Sequence, residues 1–67
     1  SLQEKAQASV GVTPTYKVIE ESGPAHDRLF IMGAYINDEL LATGQGSSKQ
    51  QAEQAAARIA LATKQWP

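Results

Sequence analysis

The first ten residues have the hydrophobic spacing of an amphipathic helix. Ser1 and Glu4 are spaced as in a capping box, which predicts that the helix begins at the start of the chain. It should end near Gly11, because the residue before Pro14 is pushed towards extended geometry. The apolar positions that share one helical face are Leu2, Ala6 and Val10.

Alternating apolar residues replace this pattern after Pro14 and predict three strands. The first is expected over residues 15–21, before a break at 22–24, and the second over residues 28–36. A turn at Asn37-Asp38 leads into a third strand over 39–43, which the glycines at 44 and 46 should end. Tyr16 and Val18 share one face of the first strand. One face of the second strand carries Phe30, Met32, Ala34 and Ile36.

An alanine-rich helix is predicted after the third strand. Its expected buried face, flanked by Ala57 and Leu61, consists of Ala52, Ala56, Ile59 and Ala60. Small side chains let such a helix lie close to a sheet. The expected fold is therefore α+β in the order α-β-β-β-α, a three-stranded antiparallel sheet with two helices packed on one face. Residues 1–67 should form one domain, and Trp66 near the end is expected to fray.

Composition narrows the function classes. The chain has 67 residues and no cysteine, so a single small core without disulfides is expected. No segment is typical of a membrane span or targeting sequence, which favours a cytoplasmic location. Six Lys and Arg residues against seven Asp and Glu residues give a net charge of −1. A nucleic-acid binder of this charge must therefore depend on a local basic patch.

The start of the last helix has the features of an anion site. Ser47 or Ser48 is a suitable N-cap, and Lys49 places a cation beside the free N–H groups of the first helical turn. Serine caps begin many helices, however, so this motif alone is more often structural.

The spacing of several motifs together resembles the double-stranded RNA-binding domain. The resemblance covers nearly the whole chain and is closest to the form attached to bacterial ribonuclease III. The residues that carry it are Pro14-Thr15-Tyr16, Gly23-Pro24-Ala25-His26-Asp27, Phe30 and Gly44-x-Gly46-Ser47-Ser48-Lys49-x-x-Ala52-Glu53-Gln54-x-Ala56-Ala57-x-x-Ala60-Leu61.

This resemblance implies three RNA-binding surfaces. The first helix and the loop after the first strand would enter successive minor grooves, and the last helix would meet phosphates across the major groove between them. Without the resemblance, the helix positions would be an ordinary solvated face and the loop histidine ordinary surface. A metal site is not expected, because no second histidine or cysteine accompanies His26. The implied contacts are Gln3, Glu4, Gln7, Pro24, Ala25, His26, Ser47, Ser48, Lys49 and Gln50.

The match is incomplete at Gln50, where the family usually has a second basic residue beside Lys49. Losing one phosphate contact should flatten the logarithmic salt dependence by about 0.9 and weaken binding. Arg28 either supplements this charge or is ordinary surface charge.

No catalytic residues are expected in this chain, because its carboxylates are scattered. By the resemblance, the domain captures substrate for a nuclease domain outside this chain, and Mg²⁺ is expected only there. The isolated domain should be a monomer. The alternative is a protein-protein docking or dimerisation module of the same fold. It is favoured by the negative charge, by Gln50, and by an apolar patch of Leu29, Ile31 and Tyr35 on the open sheet face. The loop motif and Lys49 favour RNA.

Overall fold

The computed structural model describes all residues, 1–67, and has the predicted α-β-β-β-α order. The three strands form one antiparallel sheet in the order β1-β2-β3. Both helices contribute to a core on one face of this sheet, so the predicted α+β architecture is confirmed. The elements are α1 (Leu2–Val10), β1 (Thr15–Ser22), β2 (Leu29–Ile36), β3 (Glu39–Gly46) and α2 (Lys49–Thr63).

Helix α1 begins and ends at the predicted residues. Ser1 and Glu4 form a reciprocal capping box, and Gly11 ends the helix in the left-handed region, with φ of 69°. Leu2 and Ala6 are buried as predicted. The prediction for Val10 was wrong, since its side chain is 40% exposed. Each step of four residues turns the helical face by about 40°, so the third position of the series has rotated away from the core.

The sheet contains two irregularities that shift its register. One lies in β1 between Val18 and Glu20, and the other lies opposite the end of β2, between Ala34 and Tyr35. The predicted turn connects β2 to β3, with Asn37 in the left-handed region at φ of 54°. On β2 the predicted inward face is confirmed, because Met32, Ala34 and Ile36 are buried and Phe30 is half-buried.

Strand β3 is longer than predicted. Gly44 does not end the strand, since it pairs with Met32, and the strand runs on to its last residue, Gly46, which pairs with Phe30. Both glycines lie under the first turns of α2. A Cβ on Gly46 would lie 2.6 Å from the Ala52 nitrogen, so a side chain here would push the helix off the sheet. These glycines act by permitting close approach rather than by breaking the strand.

Helix α2 is buried mainly through alanines. Ala52, Ala55, Ala56 and Ala60 are buried, whereas Ile59 is 41% exposed, contrary to the prediction. The second half of α2 packs against α1 as well as the sheet, through Ala60 and the half-buried Leu61. Leu61 lies on the side of the helix opposite Ile59, because two residues turn a helix by about 200°. The buried face therefore rotates along α2 and leaves Ile59 in solvent.

The C-terminal segment does not fray as predicted. Trp66 is half-buried and packs against the core cluster that includes Leu2, Ala56 and Ala60. The Lys64 ammonium lies 5.3 Å from the centre of the indole ring, within the range of a cation–π contact. Trp66 therefore closes the end of the core where α1 meets α2.

No helix in the structure has both the length and the apolar character needed to cross a membrane.

Candidate nucleic-acid interface

The first turn of α2 is held by two serines with different roles. Ser48 is the N-cap, and its Oγ accepts a hydrogen bond from the Gln51 N–H at 3.1 Å. The Gln51 Oε1 reaches back and accepts from both the backbone N–H and the hydroxyl of Ser47. The Ser47 hydroxyl proton is thus engaged within the protein. The Ser48 hydroxyl acts only as an acceptor within the protein, so its proton is available to donate a hydrogen bond to a ligand.

Two further donors lie beside the Ser48 hydroxyl. The backbone N–H groups of Lys49 and Gln50 belong to the first turn of α2, where N–H groups have no intrahelical acceptor. The side chains of both residues are exposed. Together with the Lys49 ammonium, these groups form a positively polarised surface suited to one phosphate.

Lys49 has an ionic partner that the sequence pattern did not reveal. Its Nζ lies 3.6 Å from Glu21 Oε1, near the end of β1. The other oxygen, Glu21 Oε2, lies 3.3 Å from Arg28 Nη2. One carboxylate therefore links the start of α2 to the loop between β1 and β2. Strand register is the only signal that could have placed Glu21 here, and the irregularity in β1 concealed it.

The loop between β1 and β2 is anchored at its base. Arg28 Nη1 donates a hydrogen bond to the Gly23 carbonyl oxygen at 2.6 Å, and Asp27 N–H donates to the Pro24 carbonyl oxygen at 3.0 Å. Gly23 has φ of 88°, in the region that favours glycine. Arg28 thus has a specific structural role in the loop, which neither of the two alternatives left open by the sequence included.

The tip of this loop presents three of the predicted contact residues. Pro24, Ala25 and His26 are all exposed. The closed base fixes the two ends of the tip, so the small Ala25 side chain and the His26 ring are presented on a narrow projection. A slim projection suits a shallow groove, and the imidazole nitrogens can accept or donate hydrogen bonds.

The predicted contact residues of α1 are exposed but differ in their freedom. The Glu4 carboxylate accepts from the N-terminal amine and the Ser1 hydroxyl at 3.2 Å each. The hydrogen bond from the amine, and to a smaller extent that from Ser1, lowers the pKa of Glu4. The carboxylate is therefore a hydrogen-bond acceptor at neutral pH. Gln7 Nε2 donates to Thr13 Oγ1, which leaves its carbonyl oxygen available. The Gln3 side chain makes no hydrogen bond within the protein.

The fold brings two of the three predicted surfaces together and holds the third apart. The loop and the start of α2 adjoin through Glu21. Helix α1 instead packs against the second half of α2, where Leu2 and Ala60 belong to the same core cluster. Ala60 lies about 16 Å along the α2 axis from Lys49, at a rise of 1.5 Å per residue. The Cα framework is elongated, 41 Å in its longest dimension, so separate contacts along a duplex are geometrically reasonable.

The outward sheet face carries an apolar cluster centred on Gly33. A Cβ on Gly33 would meet the side chains of Tyr35, Ile19 and Leu40 within 2.9 Å. Ile19 and Leu40 are each 48% exposed, whereas Tyr35 and Ile31 are half-buried. The Lys17 ammonium lies 4.9 Å from the centre of the Tyr35 ring. Leu29 is exposed as expected, but Ile19 and Leu40 are the most exposed members of the cluster, rather than the Ile31 and Tyr35 expected from the alternation on β2.

One known protein family matches nearly the whole chain. The family model described as the double-stranded RNA binding motif matches residues 1–64. The chain belongs to this family. The match includes α1, the loop between β1 and β2, and the start of α2, which are the three surfaces predicted from the sequence.

Similar proteins include bacterial ribonucleases. Ribonuclease 3 of Syntrophomonas wolfei is 52% identical over 60 residues, 90% of this chain and 26% of that protein. Ribonuclease 3 of Geobacter sulfurreducens is 52% identical over 59 residues, 88% of this chain and 24% of that protein. The motif therefore spans about a quarter of the length of these relatives. Among solved structures, Dicer from Pichia stipitis matches with a TM-score of 0.73 and 26% identity, over 97% of this chain and 32% of that one.

Proposed function

We propose that this domain binds double-stranded RNA and recognises its shape, phosphates and ribose hydroxyls rather than its sequence. The observation that carries the proposal is the pairing of an anchored, exposed loop with a helix start whose donors suit an anion, linked at one end of the sheet through Glu21. Family membership supports the same function.

Each surface has chemistry suited to one part of an A-form duplex. His26 and the loop backbone can exchange hydrogen bonds with 2′-hydroxyls in one minor groove. Gln3, Glu4 and the free Gln7 carbonyl can do so in the next minor groove. The Ser48 hydroxyl, the first-turn N–H groups and the Lys49 ammonium suit phosphates across the major groove between them. Binding should be weaker than in relatives with a basic residue in place of Gln50.

The parent protein is proposed to be a ribonuclease III, in which this domain captures the substrate. The similarity to two bacterial ribonucleases over about a quarter of their length supports this assignment. Phosphodiester cleavage, and the Mg²⁺ it is expected to need, would then belong to a nuclease domain outside this chain. A cytoplasmic location and a monomeric isolated domain remain predictions.

A fluorescence-anisotropy titration tests the proposal. A duplex RNA of about 16 base pairs or more, the length that such domains span, is compared with a DNA duplex of the same sequence at low and moderate salt. We expect the RNA to bind more tightly, since DNA lacks the 2′-hydroxyl. Replacing Lys49 or His26 by Ala should weaken RNA binding.

Lys17→Ala is the matched control for Lys49→Ala, because it removes the same charge from the outward sheet face, where Lys17 lies over Tyr35. Equal affinity for RNA and DNA, or equal losses from the two lysine variants, would contradict the proposal. Absence of RNA binding at low salt would turn attention to the outward cluster of Ile19, Tyr35 and Leu40 as a protein-docking surface.

A further inference from the structure

Glu21 lies between two cationic side chains and has no direct role in the function proposed above. Its two carboxylate oxygens face different partners, Lys49 at 3.6 Å and Arg28 at 3.3 Å. Arg28 is held at the same time by the Gly23 carbonyl oxygen at 2.6 Å, but no other ionic partner of Lys49 lies within 4 Å. The two halves of this ionic triad are therefore unequal, because Arg28 is anchored a second time at Gly23 whereas Lys49 is held by Glu21 alone.

The strand register explains why the carboxylate faces α2. Glu21 pairs with Phe30 on β2, and Phe30 pairs with Gly46 on β3. These three residues lie in one row across the sheet, and Gly46 lies under the first turn of α2. Glu20, the preceding residue, pairs with Ile31 and points to the outward face. Of the two adjacent glutamates, only Glu21 can reach Lys49.

We infer that Glu21 is an intramolecular competitor of RNA phosphate for Lys49 and thereby sets the affinity of the α2 surface. The inference rests on the proposed function, because it assigns Lys49 to a phosphate. In the free domain the Lys49 ammonium is paired with Glu21. On binding, it transfers to a phosphate while Arg28, still anchored to Gly23, keeps its contact with Glu21 Oε2, and Oε1 is left to attract a cation from solution. Glu21 is thus a positioning residue that acts through Lys49 and need not touch RNA.

The exposure of the pair makes this transfer feasible. The Lys49 side chain is 60% exposed and that of Glu21 is 36% exposed, so water screens their attraction. A phosphate at the start of α2 would interact with the first-turn N–H groups as well as with the Lys49 ammonium. It can therefore replace Glu21 Oε1 as the partner of Lys49. The carboxylate nevertheless opposes binding, because its pairing with Lys49 must be broken before the ammonium can contact a phosphate.

Glu21→Gln tests the inference, with Glu20→Gln as the matched control. Both variants raise the net charge by one at adjacent positions, but only Glu21 contacts Lys49. We expect Glu21→Gln to bind duplex RNA about two- to fivefold more tightly than the wild type, as for the loss of a weak exposed pair. Its salt dependence should be steeper, because no carboxylate is left to take up a cation when Lys49 moves. Glu20→Gln should change affinity and salt dependence less.

A double-mutant cycle with Lys49→Gln separates competition from a structural effect. If Glu21 acts through Lys49, adding Glu21→Gln to Lys49→Gln should give little further gain in affinity. Equal or weaker RNA binding by Glu21→Gln in a domain of unchanged thermal stability would overturn the inference. So would a gain that persists fully without Lys49. A wild type that binds RNA without a gain in Glu21→Gln rejects only this inference, whereas failure of both proteins to prefer RNA over DNA rejects the proposed function as well.

Discussion

Gly44 lies directly beneath Ala52 of α2, where a Cβ on the glycine would stand 2.6 Å from the Ala52 carbonyl oxygen. The same Cβ would also clash with the backbone nitrogen of Ala56. Both obstacles are backbone atoms of a packed helix, which cannot rotate away as a flexible side chain can. This contact fixes how closely α2 approaches the sheet.

Gly44→Ala should therefore destabilise the domain strongly. We expect a loss of about 3 kcal/mol in the free energy of unfolding, at the upper end for overpacking, because helix or strand must shift. Urea denaturation followed by circular dichroism measures the loss.

Gly11→Ala is the matched comparison. Gly11 has a positive φ of 69°, but a Cβ there would meet nothing within 4 Å. Its replacement should cost only about 1 kcal/mol, through backbone strain. A loss for Gly44→Ala no larger than that for Gly11→Ala would contradict the close-approach explanation.

Gln50→Lys should strengthen RNA binding. The exposed Gln50 side chain lies in the first turn of α2, where an added ammonium can neutralise a further phosphate. We expect the slope of log affinity against log salt to steepen by about 0.9. Anisotropy titrations at several salt concentrations measure the slope. Gln65→Lys, beyond the other end of α2, makes the same chemical change far from Lys49, and an equal steepening there would indicate a general charge effect.

Arg28→Lys should weaken RNA binding without a large change in its salt dependence. Lysine keeps the charge but lacks the guanidinium fork that bonds the Gly23 carbonyl and the Glu21 carboxylate together. The loop would then lose order that binding must restore. Hydrogen exchange at the Asp27 amide, which donates to the Pro24 carbonyl, should quicken. Unchanged exchange and affinity would show that the anchor does not order the loop.

Trp66→Ala should destabilise the domain by about 2 kcal/mol, less than the loss of a fully buried tryptophan, because the ring is half-buried. Trp66→Phe should retain most of this stability, since a smaller ring still packs against the core cluster. Thermal unfolding of both variants makes the comparison. Wild-type stability in Trp66→Ala would mean that the C-terminal segment contributes nothing to the core.

Stability should fall at high pH through Tyr16. Burial of the hydroxyl, and secondarily the charge of Glu53, raises the pKa of Tyr16 above its usual range. The folded state therefore holds the phenolic proton more tightly than the unfolded state does. The contribution of this proton to the free energy of unfolding is complete below the pKa of Tyr16 in the unfolded state, about 10. It is lost as the pH rises through the pKa in the folded state.

Tyr16→Phe isolates this effect. The difference in unfolding free energy between the wild type and Tyr16→Phe should change as pH rises above about 10, with the wild type losing more. Urea titrations on either side of that pH measure the difference. Tyr35→Phe, on the outward face, serves as a control for general alkaline effects, and a pH-independent difference for Tyr16→Phe would contradict the burial argument.

The sequence predicted the elements and their order because local signals agreed. The capping box at Ser1, the stop at Gly11 and the alternation on β2 each depend on neighbours in the chain. The errors lie where tertiary contact decides. Val10 and Ile59 have plausible helical spacing, but the partner surface turns away from them. Gly44 looks like a strand terminator until a helix is known to lie against it.

The predicted contact residues are all at least partly exposed, and their connections were the part that sequence could not supply. Motif spacing located Lys49 and His26 without revealing that Glu21 links their elements. The irregularity in β1 sets which of two adjacent glutamates faces α2, and no local pattern announces such an irregularity. Similarly, no local pattern shows that the Gln51 carbonyl oxygen accepts from Ser47, which leaves only its amide NH2 to donate to a phosphate.

None of the residues proposed to contact RNA belongs to the cluster of Leu2, Ala34, Ala56 and Ala60 that forms the core. Substitutions at Gln50 or His26 can accumulate while the folded population stays constant. Over evolutionary time, or in a laboratory library, such a domain can pass gradually between tight and weak binding through changes at these two exposed positions, with its core left in place.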